Sequence, residues 1–409
     1  MTRAAIVSPA PPVSRRPHLI TSDAEALSAA RSFADTVKAS ASRRDAERLL
    51  PWLELDDFVA TGLWAITVPK EYGGAGVSAG TLAQVTAIIA AADGSLAQIP
   101  QNHYYALEVL RVGGREEQKR FFYDRVLAGE RFGNALAEIG LRDFKRRTQL
   151  LEDSGRLFVQ GTKYYCTGAI YAHWIPTLVS RTEDGTARTY LVFVPRTALG
   201  VTIHDDWDGF GQRVTGSGTV NFDRVAVNPD HVLPFQASFE RPTTIGPFAQ
   251  LIHAAIDLGI GQGAYGDTLD FVRERSRAWI DAKVEKATDD PLTLSEVGQV
   301  HIRLRASQAL LDRAARLVDV AMVAPDEDTV AAASIAVAEA KILATRAGLL
   351  ASNKLFELSG TSSTMSTDNY DRHWRNVRTH TLHDPVRWKF QAIGQYYLNG
   401  RRPPRHGAL

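Results

Sequence analysis

The chain has 409 residues, 44% of them hydrophobic and 23% charged, enough for a large core split over two or three domains. Its formal charge of +1 gives no reason to expect nucleic acid or an anionic membrane as partner. The single cysteine, Cys166, excludes an intramolecular disulfide and a cysteine metal cluster and fits a reducing cytoplasm. No run approaches the ~18 apolar residues of a membrane span.

Residues 1–20 carry no apolar run of signal-peptide length and read as a disordered tail. Residues 21–133 read as helical. Ser22-Asp23-Ala24-Glu25 has the capping-box pattern. Leu82, Val85, Ile88 and Ile89 share one helical face, and Glu116 to Glu130 forms a further amphipathic segment. A glycine-rich connector, VPKEYGGAGVSAG, lies between helices. From 134 to 235 the character changes to β-branched and aromatic runs, RLFVQGTKYYCTG, TYLVFVP and GTVNFDRVAV, which predict antiparallel strands of a barrel or sandwich. On a strand Cys166 alternates away from Thr167 and reads as a small buried filler. Residues 236–409 return to helix. One apolar stripe holds Ile302, Leu310, Leu311, Ala314, Leu317 and Val318, and another runs from Ile335 to Leu350, as in a helical bundle. The run GIGQGAYG stands between helical segments and not after a strand, so close helix packing explains it better than a nicotinamide loop. The basic run RDFKRRT (142–148) reads as a solvated loop that could neighbour a pocket mouth.

These stretches carry a resemblance. GLWAITVPKEYGGAGVS, FGNALAE, GTKYYCTGA, DGFGQRVTGSGTVNFDRVAVNPDHVL and RHWRNVRTHTLHDP are collinear with the acyl-CoA dehydrogenase superfamily over nearly the whole chain. The resemblance implies an N-terminal helical domain, a middle β-barrel domain and a C-terminal four-helix bundle, assembled as a homotetramer. IPQNHYYALEVLR, YAHWIP, DRHWRNVRTHTLHDPVRWK and YYLNG are similar to the SfnB-type sulfur-acquisition oxidoreductases and to flavin monooxygenases of the dibenzothiophene monooxygenase kind. That branch implies reduced FMN, oxygen and a C4a-hydroperoxyflavin, acting on a small organosulfur compound in sulfur acquisition. A separate NAD(P)H-dependent flavin reductase is then the expected partner.

By the same resemblance His103 and His383 face the flavin, with His380 nearby. An imidazole titrates near neutrality and can move the protons such chemistry needs; helix capping or interface packing is the structural alternative. Thr167 falls beside flavin N5 and Tyr165 takes the aromatic position before it. Asn134, Leu136, Ala137 and Glu138 fall on a segment that meets the flavin pyrimidine edge, where Ala137 replaces a usual hydroxyl. Arg213, Ser217 and Arg275 are candidate flavin or phosphate contacts. Trp207, Tyr104 and Asp384 are candidate pocket residues, Trp207 being equally consistent with plain core. The glycines that bring a pyrophosphate close to the backbone are mostly missing, which favours FMN over FAD. No metal is expected. Two other functions fit the residues: an FAD-dependent acyl-CoA-type dehydrogenase with Asp384 as base, and a catalytically silent flavin-binding protein.

Overall fold

The computed structural model describes residues 5–6, 16–140 and 145–408; Arg142 to Phe144 of the basic run lie outside these. The first layer is helical: α1 (Asp23–Glu47), α2 (Trp52–Ala60), α3 (Ala79–Ala92), α4 (Gly94–Gln98), α5 (Gln101–Gly113) and α6 (Glu116–Leu127). Caps fix where these helices begin. The Ser22 hydroxyl accepts from the Glu25 N–H, and the Glu25 carboxylate reaches back to the Thr21 N–H, one residue earlier than a capping box requires. The Asp93 carboxylate accepts from the Ser95 and Leu96 N–H groups at the start of α4 while its other oxygen pairs with buried Arg44 at 2.9 Å.

Residues 149–233 form one eight-stranded sheet together with a short N-terminal strand, β1 (Ala5–Ile6). The others are β2 (Gln149–Asp153), β3 (Arg156–Cys166), β4 (Trp174–Glu183), β5 (Thr186–Pro195), β6 (Val201–His204), β7 (Gly218–Val227) and β8 (Val232–Leu233). Their order is β1-β6-β7-β3-β2-β4-β5-β8, antiparallel except where β2 meets β4. The expectation of a disordered tail does not hold for the described part of it. Ala5 and Ile6 pair with His204 and Ile203, the His18 N–H donates to the Ala60 carbonyl, and Ile20 is buried.

Five further helices complete the chain: α7 (Ile245–Glu274), α8 (Pro291–Val323), α9 (Glu327–Ser359), α10 (Asp371–His380) and α11 (Val386–Asn399). α7 is buried on almost every side over its first four turns, packed between α3 and α9. Its glycine run makes this possible. A Cβ on Gly259 would stand 2.4 Å from the Ala87 carbonyl oxygen, and one on Gly261 would stand 2.8 Å from Gly348 Cα. The run is thus a helix-packing device, as its surroundings in sequence predict. The α8 stripe is only partly internal: Leu311, Ala314 and Val318 are buried, whereas Ile302 is exposed together with Leu292 and Leu294.

Gly259→Val places three carbons where the α3 backbone already stands. Overpacking of this kind costs about 1–3 kcal/mol, so the thermal unfolding midpoint falls; a midpoint equal to wild type contradicts close α3–α7 packing.

Candidate active site

The middle sheet builds one wall. Near its end β3 slips register against β7 between Lys163 and Cys166, and Tyr165 adopts φ +54°. A bulky residue holds that conformation only where its surroundings dictate it. The bulge turns the Tyr165 ring outward, half exposed, edge-on to Trp207 at 6.1 Å. The incoming segment 134–137 is tied to the same bulge. Asn134 Nδ2 lies 3.5 Å from the Tyr165 carbonyl, Asn134 Oδ1 accepts from the Leu136 N–H, and the Ala137 carbonyl accepts from the Tyr164 N–H. Trp207 donates its indole N–H to the Gln212 carbonyl.

Immediately after the bulge, Thr167 starts a buried hydroxyl chain. Its Oγ1 lies 2.8 Å from Ser217 Oγ, which lies 2.7 Å from Thr215 Oγ1, which donates to the Gln212 carbonyl at 2.9 Å. The carbonyl can only accept, so every proton in the chain points toward it. Thr215 therefore accepts from Ser217, and Ser217 accepts from Thr167. Thr167 is left with lone pairs and no proton to offer, and its hydroxyl is built to accept. Asn134, Leu136, Ala137, Tyr165, Thr167, Trp207 and Ser217 thus lie around the same bulge.

The helical bundle gathers a second set of polar groups. His380, at the end of α10, lies 2.5 Å through Nδ1 from Asp257 Oδ1 and 3.1 Å through Nε2 from His253 Nδ1. Asp257 is fully buried on α7, and its second oxygen takes Lys341 at 2.8 Å and the Thr345 hydroxyl at 2.9 Å. Burial alone would raise the Asp257 carboxyl; Lys341 and His380 override this and hold it below the usual carboxylate range. Burial pushes the His380 imidazole down to about 3 against the pull of Asp257, so the ring is neutral. With one ring proton and a carboxylate on Nδ1, His380 donates there and accepts at Nε2 from the His253 N–H. His253 then keeps Nε2 as an acceptor. His383 donates from Nδ1 to the His380 carbonyl at 2.7 Å and lies 3.3 Å from the Gln98 amide through Nε2. The three imidazoles have ligand nitrogens within 4.8 Å of one another, close enough to share a metal ion. The proton order commits His380 Nε2 to His253, however, and the positive charge of Lys341 and Lys389 acts on the same cluster. Both features disfavour a cation there.

Beside the cluster opens a cavity of about 370 Å³. α5 presents Gln101, Asn102 and Tyr105 to it, the sheet side presents Leu136 and Arg146, and α7 presents His253. Chain residues 406–408 border the same space, held by Gln250 on the Gly407 carbonyl at 3.0 Å and by Lys389 on the Ala408 carbonyl at 2.8 Å.

The structure places the other candidate residues elsewhere. His103 spends both ring nitrogens on backbone, donating to the Trp64 carbonyl at 2.8 Å and accepting from the Phe132 N–H at 3.1 Å. Burial pushes it down to about 3, and its two backbone bonds staple the helical layer to the sheet. Tyr104 is buried with its hydroxyl on the Leu63 carbonyl. α5 turns both residues away from the cavity and turns Asn102 and Tyr105 toward it. Arg213 donates to the Ala46 carbonyl and Arg275 pairs with Asp368; neither lines the cavity. Asp384 accepts from Gln250 at 2.7 Å. Sequence reasoning missed His253 and Asp257, whose signal was their i, i+4 spacing on one face of α7.

With this geometry in view, comparison with known proteins is direct. Residues 22–130 match the acyl-CoA dehydrogenase N-terminal domain and 251–388 match its C-terminal domain. The chain belongs to the acyl-CoA dehydrogenase family. Dibenzothiophene monooxygenase of Rhodococcus erythropolis is 34% identical over 93% of this chain and 95% of its own. The crystal structure of FMN-bound TdsC from Paenibacillus sp. A11-2 superposes with a TM-score of 0.89 at 30% identity, covering 94% of this chain and all of that one, 100%. Methanesulfinate monooxygenase MsuC from Pseudomonas fluorescens follows with 0.86 at 31% identity, covering 93% and 98%.

His103 and His380 both hold values well below the ordinary imidazole value of ~6.5. Each therefore favours the fold fully above that pH, and the contribution is lost as pH falls toward about 3, where the folded rings protonate. Between these limits each costs about 1.4 kcal/mol per pH unit. The unfolding midpoint should drop between pH 7 and 5, with a shallower slope in His103→Gln; a flat profile over that range contradicts buried neutral rings.

Proposed function

We propose that the chain is an FMNH2-dependent monooxygenase acting on a small organosulfur compound, with reduced FMN supplied by a separate flavin reductase. The observation that carries this is the proton order at Thr167. Reduced flavin bears an N–H at N5 that oxidised flavin lacks, and Thr167 offers an acceptor with no competing donor. Relatives that are named monooxygenases, one of them with FMN bound in its structure, support the same reading. When bound, reduced FMN supplies the two electrons that activate dioxygen.

The chain's own residues do the rest. Thr167 would hold N5–H, and the 134–137 segment would border the ring, with Ala137 contributing backbone only. His383 and His253 would accept and return protons at their Nε2 atoms. His380 and Asp257 fix which nitrogen of His253 carries the proton. The helical, closely packed state of the glycine run on α7 leaves no phosphate-cradling loop there, which supports electron delivery from another protein. Trp279, Ile280, Trp388, Tyr397 and Leu398 are exposed apolar side chains on the C-terminal helices and their connections. Such surface supports self-association as a homotetramer. No described helix is long and apolar enough to cross a membrane.

Purified protein supplied with photoreduced FMN and oxygen should convert an organosulfur substrate such as dibenzothiophene or methanesulfinate. Thr167→Val should weaken FMNH2 about three- to tenfold, the worth of one neutral hydrogen bond, and leave oxidised FMN unchanged. Equal weakening of both redox forms removes the N5–H assignment. Absence of oxygenated product across neutral and anionic sulfur compounds overturns the function.

A further inference from the structure

The cavity carries a charge that no carboxylate side chain among the described residues lining it balances. Arg146 lines it, and burial lowers the guanidinium pKa even though Glu138 pulls the other way. Glu138 is already committed: its carboxylate takes buried Lys163 at 2.5 Å and the N–H groups of Arg147 and Thr148. Among the described residues the Arg146 side chain makes one weak hydrogen bond, Nη1 to the Leu136 carbonyl at 3.3 Å. Its Nε is buried with no partner among the described residues. Among the described residues, no carboxylate side chain lines the cavity. The other polar side chains lining it are the amides of Gln101 and Asn102 and the hydroxyl of Tyr105, which can donate, and the imidazoles of His253 and His406, whose pKa burial pushes down.

A partly buried cation with an idle N–H, and no described carboxylate side chain beside it in the cavity lining, is satisfied by an anion. The guanidinium fork matches a group with two oxygens on one centre, which it can hold by paired hydrogen bonds. We infer that Arg146 is the specificity residue for an anionic substrate, and that the substrate is a small organosulfur oxyanion of the sulfinate class with its charged end on Arg146. This rests on the monooxygenase reading for the reaction but not for the binding. The FMN phosphate is the other oxyanion available. The substrate is favoured because Arg146 shares its cavity with His253, the outer end of the Asp257–His380–His253 chain.

The test uses the full-length protein with Arg146→Gln and Arg146→Lys, each checked for an unchanged unfolding midpoint. Calorimetry measures methanesulfinate binding to the FMN-loaded protein. Fluorescence compares FMN with riboflavin, which lacks the phosphate. Turnover is followed with methanesulfinate and with neutral dibenzothiophene. The expected result is methanesulfinate binding weakened at least tenfold in Arg146→Gln and less in Arg146→Lys, with KM for the anion rising, turnover of any neutral substrate unaffected, and the FMN-to-riboflavin affinity ratio unchanged. Methanesulfinate binding that stays within twofold in Arg146→Gln overturns the proposal, as does its absence in wild type. A selective loss of FMN over riboflavin also overturns it and gives Arg146 to the flavin phosphate. Arg146-dependent anion binding without any turnover would sink the monooxygenase reading and leave the anion site standing.

Discussion

One buried carboxylate organises the bundle side of the site. Asp257 is fully buried on α7, and three groups from two other helices converge on it: Lys341 and Thr345 from α9, and His380 from α10. A charge in such a place is tolerated only when its partners are fixed in position. The pairing therefore locks α7, α9 and α10 in one register. It also decides a chemical detail, since a carboxylate on Nδ1 leaves His380 one way to meet His253. Fold stability and proton order follow from the same contact.

The sheet side works by the same logic with neutral groups. A bulge at Tyr164–Tyr165 breaks the β3–β7 ladder, and the hydroxyls of Thr167, Ser217 and Thr215 run down to a carbonyl that can only accept. Both sides thus end in a polar atom whose role is set remotely: an acceptor at Thr167 and an acceptor at His253. His103 ties the helical layer to the sheet through the Trp64 and Phe132 backbones.

Much of this was legible in the sequence because it is local. Strand periodicity, the glycine run and the 134–138 and 164–167 stretches each lie within a few residues, and their resemblance to a known family carries the architecture. What stayed hidden depends on helix rotation and long-range pairing. His103 and Tyr104 stand next to Asn102 and Tyr105, but α5 turns the two pairs in opposite directions, and nothing in HYY marks which side faces the cavity. His253 and Asp257 lie in an apolar helix more than a hundred residues before the histidines they meet, so His253 reads there as ordinary core. The tail was misjudged for a related reason. His18 and Ile20 are ordered by contacts to α1 and α2, which composition does not reveal.

The most direct measurement is the fate of oxygen in His253→Gln. Glutamine keeps a side chain that can hydrogen-bond to His380 but cannot carry a proton away. With reduced FMN and substrate supplied, the ratio of oxygenated product to hydrogen peroxide should fall well below wild type while FMNH2 affinity stays the same. An unchanged ratio would mean that the chain from Asp257 to His253 holds the helices together and takes no part in the chemistry.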